Sequence, residues 1–217
     1  MIKNIKKSKT YMGKAIILPA LFSIFILLSG CIGGQGKEVS TQFYTFEYEP
    51  REFSDKAALP CAIKIERFRS ASYYETNRIV YKENPSSIDS YYYHRWWSPP
   101  AELITYFLLR DMRESGLFKA VLPFDTQTPY THVIEGYLEE IYEKDNPEGW
   151  VAVLSVNITL LSAEEPDPAE KVLLQKEYRQ TEPADSKTPL ALANAMSKAM
   201  SRVSESIIID VYDLLSR

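Results

Sequence analysis

Cys31 is the residue whose sequence context most clearly predicts chemistry. It closes the box Leu28-Ser29-Gly30-Cys31, in which small residues let an extended backbone enter a protease site and the thiol accepts a lipid. Before the box lie five lysines without any acidic residue, and then the apolar run AIILPALFSIFILL. That run is short for a membrane-spanning helix, which needs about 20 residues. The sequence therefore predicts a lipoprotein signal peptide over residues 1–30 and lipidation of Cys31.

The residue after Cys31 bears on which membrane holds the lipid. Ile32 stands there, whereas an Asp at this place retains a lipoprotein in the inner membrane in the enterobacterial sorting pattern. We therefore expect the protein on the periplasmic face of the outer membrane rather than at the inner membrane. A mature lipoprotein carries more than one acyl chain, which is enough for stable attachment.

The other residues that could carry chemistry are few and scattered. Cys61 has no cysteine left to pair with once Cys31 is lipidated, and the run CAIKI that it opens favours a buried strand position. His94 and His132 lie in no nucleophile or metal motif, and the paired glutamates fit solvated strand or turn positions. The sequence also contains no phosphate loop, serine elbow or zinc signature. We predict neither an enzyme nor a bound metal or cofactor.

The most unusual stretch is the run YYYHRWWSPP, which begins at Tyr91 and places five large aromatic residues within seven. Strand alternation cannot bury all of them on one face, so some are expected in the core and others at the surface. Trp96 and Trp97 are expected to divide these two roles. Tyr and Trp are enriched in interface hot spots, so the run is a candidate partner-binding surface. A hydrophobic lock at the strand-to-helix corner is left open as the alternative. The predicted residues are Tyr91, Tyr92, Tyr93, Arg95, Trp96, Trp97, Pro99 and Pro100.

Charge limits the partners that the mature chain can have. Removal of residues 1–30 leaves 187 residues, enough for one domain with a core, and takes away five lysines. The formal net charge therefore falls from -4 to -9. An acidic domain is a poor candidate for binding nucleic acid or an anionic lipid surface. Contact with the membrane is expected to come from the lipid on Cys31.

Strand patterns dominate the chain after a polar, glycine-rich segment. Residues 31–41 are predicted to form the lipidated cysteine and a flexible tether with a span of roughly 16–19 Å, and residues 42–217 a single domain. Tyr44, Phe46 and Tyr48 alternate with polar residues, as in a strand. Short connections between the later strands favour antiparallel hairpins. Further strands are predicted at 62–68, 78–82, 90–94, 119–122, 131–144, 150–162 and 171–180.

Two helices interrupt this pattern. The first is predicted from a Ser98 N-cap and Pro99 at the first helical position to about Glu114. The second opens at Pro189 and covers about 28 residues, or roughly 42 Å. Its apolar residues recur every three or four positions, which fits a helix lying across a sheet. A coiled-coil seam for a partner has the same spacing and is left open.

Four segments carry a family resemblance, and they occur in the expected order. They are RIVYK from Arg78, YYYHRW from Tyr91, PPAEL from Pro99, and SGLF from Ser115 followed by Val121. Together they resemble the ABC-type transport auxiliary lipoproteins, the PqiC-like family. The similarity covers the mature chain from about residue 44 to the last helix. Trp97 stands where a smaller residue is expected, so no role is carried over to it.

The resemblance implies both a fold and a setting. The fold is α/β, with a mixed, largely antiparallel sheet and with one mid-chain helix and a long C-terminal helix packed on it. Such lipoproteins are similar to outer-membrane partners of MCE-domain systems, which move lipids or other hydrophobic compounds between the two membranes. The implied partners are a periplasmic MCE-domain protein and, through it, an ABC permease and ATPase. A homo-oligomeric ring is left open.

Two other functions stay open on the residues alone. One is an adaptor for a different envelope machine, such as an activator of cell-wall synthases or a TolB-like protein, which would bind a synthase or peptidoglycan instead. The other is a periplasmic hydrolase, which would need a cleft of clustered side chains with perturbed pKa values.

Overall fold

The computed structural model describes residues 40–217, so the predicted signal peptide, Cys31 and the tether as far as residue 39 lie outside the described residues. Within residues 40–217 the chain forms nine strands and three α-helices. The strands are β1 (Gln42–Tyr44), β2 (Leu59–Ile65), β3 (Arg69–Ser70), β4 (Arg78–Lys82), β5 (Asp89–Trp96), β6 (Phe118–Leu122), β7 (His132–Asn146), β8 (Gly149–Ser162) and β9 (Val172–Pro183). The helices are α1 (Pro100–Glu114), α2 (Pro168–Lys171) and α3 (Pro189–Leu215).

The sheet is organised around β7. One edge of β7 pairs with β8 in an antiparallel hairpin, and β8 pairs in the same way with β9. The other edge of β7 pairs in parallel with β2, β3 and β4 at successive points along its length. Beyond these, β6 pairs with β2, and β5 and β1 extend the sheet from β4. The predicted mixed sheet is confirmed. Its longest ladders, β7 with β8 and β8 with β9, are antiparallel, and β2, β3 and β4 run parallel to β7.

Both long helices cover the sheet and contact each other, α3 over β8 and β9, and α1 over β6 and β7. The alternating residues of β8 from Ala152 to Leu160 face the helices and are fully buried. The apolar stripe of α3 is enclosed as well, including Met200 and Ile207. The predicted packing of the long helix on the sheet is confirmed, and its stripe is not exposed as a coiled-coil seam.

The first turn of α1 differs from the prediction by one residue. Pro99 is the N-cap, with φ -50° and ψ 135°, and Pro100 is the first helical residue. Ser98 makes no capping hydrogen bond. A residue that precedes a proline is disfavoured in the helical region, so Pro99 stays extended and the helix begins at the second proline. At the other end Gly116 has φ 68°, the left-handed conformation expected after a helix.

Residues 45–58, the strap, leave the sheet although the alternation at 44–48 predicts a strand. β1 ends at Tyr44, and the chain then crosses the two long helices. The Phe46 ring packs 5.2 Å from Phe107 of α1, and the backbone N–H of Glu47 donates to Ser197 Oγ of α3 at 3.0 Å. The strand predicted from the alternation at 44–48 was therefore wrong beyond Tyr44. The apolar side chains of this segment are buried against helices and not within a sheet.

Candidate partner-binding surface

The YYYHRWWSPP run continues from β5 around a corner into α1, and its members occupy three settings. Trp96 and Pro100 are buried, and Tyr91, His94, Arg95, Ser98 and Pro99 are half-buried. Tyr92, Tyr93 and Trp97 are exposed. The two tryptophans therefore do occupy different environments, one in the core and one at the surface.

Trp96 is a core residue. It is 1% exposed, and its ring meets the Phe46 ring edge-on at 5.5 Å between centroids. Its backbone N–H donates to the carbonyl of Asn77 at 2.7 Å. Trp96 thus joins β5 to the strap and, through Phe46, to α1. Trp96 therefore packs beneath the exposed residues of the run and has almost no surface of its own.

A wide bulge interrupts the pairing of β5 with β4. Arg78 of β4 pairs with Arg95 of β5, and Val80 of β4 pairs with Ser90 of β5. The two pairs are two residues apart on β4 but five residues apart on β5. Three more residues are therefore used on β5 than on β4. Bulges redirect side chains and are over-represented next to functional sites. Here the bulge prevents the consecutive tyrosines from alternating strictly between the two faces.

Two tyrosines project from this bulge. Tyr92 is 62% exposed and Tyr93 is 41% exposed, and their ring centroids lie 4.7 Å apart in an edge contact. The Arg78 guanidinium lies 5.4 Å from the Tyr92 ring centroid, and Arg95 Nε donates to the Tyr92 carbonyl at 3.4 Å. We call these four residues the tyrosine bulge. It presents two aromatic rings flanked by two guanidinium groups.

Tyr91, which directly precedes the two exposed tyrosines, is hydrogen-bonded to a buried residue. Its hydroxyl donates to the two carboxylate oxygens of Glu143 on β7, at 3.1 and 2.9 Å. Burial raises the pKa of Glu143 to about 7, although the hydrogen bond from Tyr91 lowers it in part. Burial and the neighbouring carboxylate also raise the pKa of Tyr91 above its ordinary value. The pair therefore consists of a protonated phenol beside a carboxyl group that holds its proton to higher pH than an exposed glutamate does.

The corner between β5 and α1 forms an aromatic groove. Trp97 is 70% exposed, its ring meets Phe43 of β1 edge-on at 5.9 Å, and its backbone N–H donates to the Tyr44 carbonyl at 2.7 Å. Across the groove stands Tyr106 of α1, which is also mostly exposed. The groove has a volume of about 590 Å³, and its apolar lining includes Phe46, Leu103 and Phe107.

A smaller cavity of about 230 Å³ lies beside Tyr106, next to Phe124, which follows β6. Phe43, Tyr106 and Phe124 were not among the predicted site residues. Tyr106 could have been found, because it falls outside the buried stripe of α1 at a position where an exposed helix face usually carries a polar side chain. Phe43 and Phe124 gave no such signal, since only the tertiary fold brings them here.

The tyrosine bulge, the groove and the cavity rim make one aromatic surface. The bulge adjoins the groove because Phe43 pairs with Arg95 across β1 and β5. Ten large hydrophobic side chains are exposed among residues 40–217, and six of them lie on this surface. The six are Phe43, Tyr92, Tyr93, Trp97, Tyr106 and Phe124. Exposed apolar patches of this kind are common at interaction sites, so this surface is the candidate site.

The residues considered for catalysis have local structural roles instead. Burial raises the pKa of the Cys61 thiol on β2, which makes it a poor nucleophile, and its predicted buried strand position is confirmed. His94 Nδ1 lies 3.0 Å from the Tyr44 hydroxyl, and His132 Nδ1 lies 2.8 Å from Thr131 Oγ1. Within residues 40–217 no three His, Cys, Asp or Glu side chains are grouped to hold a metal. No helix in this part of the chain is long and apolar enough to cross a membrane.

Comparison with known proteins gives the fold independent support. Protein XCC0632 from Xanthomonas campestris, of family DUF330, has a TM-score of 0.72 at 14% identity, over 80% of this chain and 96% of that chain. A second solved structure, of an uncharacterized protein, has a TM-score of 0.62 at 9% identity, over 79% and 99% of the two chains. At these identities the likeness shows the fold alone. None of the curated proteins matches the sequence.

The sequence itself matches a family model, that of the ABC-type transport auxiliary lipoprotein component, over residues 44–208. That range begins at the last residue of β1 and ends within α3, so it takes in β2 to β9 and the aromatic surface apart from Phe43. The chain therefore belongs to the ABC-type transport auxiliary lipoprotein family.

Proposed function

We propose that this protein is a lipid-anchored periplasmic subunit that docks a transport assembly to the outer membrane. The assembly would consist of a periplasmic MCE-domain protein with its ABC permease and ATPase, and its cargo would be lipids or other hydrophobic compounds. Family membership supports the auxiliary role in ABC-type transport. The lipoprotein box at Cys31 supports the anchor, and Ile32 after it favours the outer membrane.

The observation that carries the docking role is the aromatic surface. Trp97 and Tyr92 are more than 60% exposed, although each could bury a large apolar area in an interface. Rigid aromatic side chains flanked by arginine are the usual composition of binding hot spots. Arg78 and Arg95 occupy that flanking position in the tyrosine bulge. A protein partner that covers this surface would remove the exposed rings from water.

A homo-oligomeric ring belongs to the same proposal. β9 is twelve residues long and, among the described strands, pairs only with β8. Its second edge therefore presents unpaired backbone groups, to which another chain could add a strand. Mass measurement of the detergent-solubilised lipoprotein tests this part separately: a single-chain mass would contradict the ring and leave docking unaffected.

Co-purification from solubilised envelopes tests the docking role. The lipidated full-length protein should recover an MCE-domain protein and ABC subunits, and the double variant W97A/Y92A should lose them. Leu190→Ala is a matched control, because Leu190 is 61% exposed at the start of α3 but lies outside the aromatic surface. Equal recovery by all three forms would contradict the proposal. Recovery of a cell-wall synthase or peptidoglycan instead would favour the other adaptor function.

A further inference from the structure

The cavity beside Tyr106 has the properties of a ligand site rather than a packing defect. Its volume is about 230 Å³, and its lining includes Ile65, Leu109, Pro123 and Phe124. Apolar cavities of about 150 Å³ already bind a small hydrocarbon such as benzene and stay free of water. This cavity is larger and is partly open to solvent. It can therefore admit part of a hydrocarbon chain from outside.

Two charged groups of opposite sign border the same cavity. The Arg67 guanidinium lies 4.4 Å from the centroid of the Phe124 ring, which holds it at the rim. Glu102 stands in the first turn of α1. Both residues are exposed, and within residues 40–217 neither forms an ion pair with another side chain. The rim thus offers one cation and one anion to a ligand.

Thr105, another polar side chain of the lining, is already satisfied. Thr105 Oγ1 donates to the Ala101 carbonyl at 2.7 Å and accepts from the backbone N–H of Phe68 at 3.0 Å. A ligand therefore meets mainly hydrocarbon inside the cavity. The polar side chains left for a ligand are the charged groups of Arg67 and Glu102 and the Tyr106 hydroxyl.

We propose that the cavity binds a zwitterionic phospholipid, with its phosphate on Arg67, its headgroup ammonium on Glu102 and part of one acyl chain inside. The rest of that chain would continue past Tyr106, which lines both the cavity and the aromatic groove. An apolar interior with one charge of each sign at its mouth is complementary to such a headgroup and chain. This inference rests on the proposed function, since it names the class of cargo or regulatory lipid that the docked subunit contacts.

Photocrosslinking in detergent tests the site on the lipidated full-length protein. The probes are phosphatidylethanolamine and phosphatidylglycerol, each with a diazirine in one acyl chain. Both have the phosphate, but only phosphatidylethanolamine has the ammonium. Crosslinks are mapped by mass spectrometry and are expected on peptides that contain Leu109 or Phe124. Glycerophosphoethanolamine, which lacks acyl chains, is added as a competitor and should not displace the lipid.

The charged variants distinguish the two contacts. Arg67→Gln should lower the yield with both lipids by about tenfold, as expected from the loss of one charge-assisted hydrogen bond. Glu102→Gln should lower the yield with phosphatidylethanolamine only. Arg69→Gln, two residues from Arg67, and Glu114→Gln, at the other end of α1, are matched controls, since both residues are exposed and lie outside the cavity lining. Leu109→Phe, which fills the cavity, should reduce crosslinking of both lipids.

Several results would overturn the lipid site. They are equal yields for Arg67→Gln and the wild type, a Glu102→Gln effect that is the same for both lipids, and displacement by the chainless headgroup. Co-purification of the transport subunits is measured on the same Arg67→Gln preparation. Lost crosslinking with intact co-purification supports a lipid site separate from docking. Intact crosslinking with failed co-purification of the wild type contradicts the docking role alone.

Discussion

The hydroxyl of Tyr91 donates to both carboxylate oxygens of Glu143, and this contact ties the exposed tyrosine bulge to the buried face of β7. Glu143 is 1% exposed and Tyr91 is half-buried. Directly after Tyr91 the chain turns outward to Tyr92 and Tyr93. A buried acid therefore holds the base of the surface that we propose for docking.

This contact predicts a pH dependence of stability. Burial raises the pKa of Glu143 to about 7 in the folded protein, above its ordinary value in the unfolded chain. The folded state then binds more protons than the unfolded state between about pH 4.5 and 7, so stability falls as the pH rises through this window. We expect a loss of roughly 2–3 kcal/mol in the free energy of unfolding. Urea unfolding between pH 4.5 and 8 measures it.

Glu143→Gln is the variant that isolates this effect. The amide oxygen can still accept from Tyr91, but the group cannot ionise, so the fall in stability over the window should be largely removed. Glu135→Gln, an exposed glutamate on the same strand, should retain it. Parallel pH curves for the wild type and Glu143→Gln would show that another group is responsible.

The two tryptophans should respond differently to truncation. Trp96→Ala removes a fully enclosed ring that contacts Phe46, and it should cost about 3–5 kcal/mol in the free energy of unfolding. Trp97→Ala removes a ring that is 70% exposed, so it should change stability by less than about 1 kcal/mol. Denaturant titration of both variants checks this. A large loss of stability for Trp97→Ala would mean that its role is structural.

Gly136 on β7 should be intolerant of a side chain for a local reason. A Cβ at this position would overlap the ring of Phe68, which is 3% exposed and cannot move away freely. Gly136→Ala should therefore cost about 1–3 kcal/mol, as in other overpacked cores. The same substitution in a Phe68→Leu background should cost less, because the ring is gone. Additive losses in the double variant would contradict this steric explanation.

Gly116 should be intolerant for a different reason. Its φ of 68° is left-handed, but a Cβ there would meet no atom within 4 Å. Gly116→Ala should thus cost about 1 kcal/mol through backbone strain alone, and Gly116→Asn should cost less because asparagine tolerates this conformation. Thermal unfolding compares the two variants. Equal losses for the two variants would contradict the backbone-strain explanation.

Local periodicity was enough to predict the long elements of the fold. The alternation from Ala152 to Leu160 and the three-four spacing in α3 each describe one face of one element, and both faces are buried as expected. The parallel pairings of β2, β3 and β4 with β7 join segments that are more than 60 residues apart. Their register depends on tertiary packing, which no local pattern specifies. The strap shows the same limit, because its alternation predicts burial correctly but not the burying element.

The candidate site divides in a similar way. The aromatic run identified Tyr92, Tyr93 and Trp97, because consecutive bulky rings cannot all be buried on one strand face. It also included Trp96, whose enclosure depends on Phe46 in the distant strap. Phe43, Tyr106 and Phe124 complete the surface from β1, α1 and the segment after β6. Only the fold places these three beside the run.

Site-specific photocrosslinking in intact cells tests docking through the aromatic surface most directly. A photoreactive amino acid is placed at Trp97 or at Tyr92, and for comparison at Glu148, which is exposed in the β7–β8 turn. We predict crosslinks to an MCE-domain protein from the first two positions and none from Glu148. Crosslinks from Trp97 and Tyr92 only to a cell-wall synthase, or to no protein at all, would contradict the account.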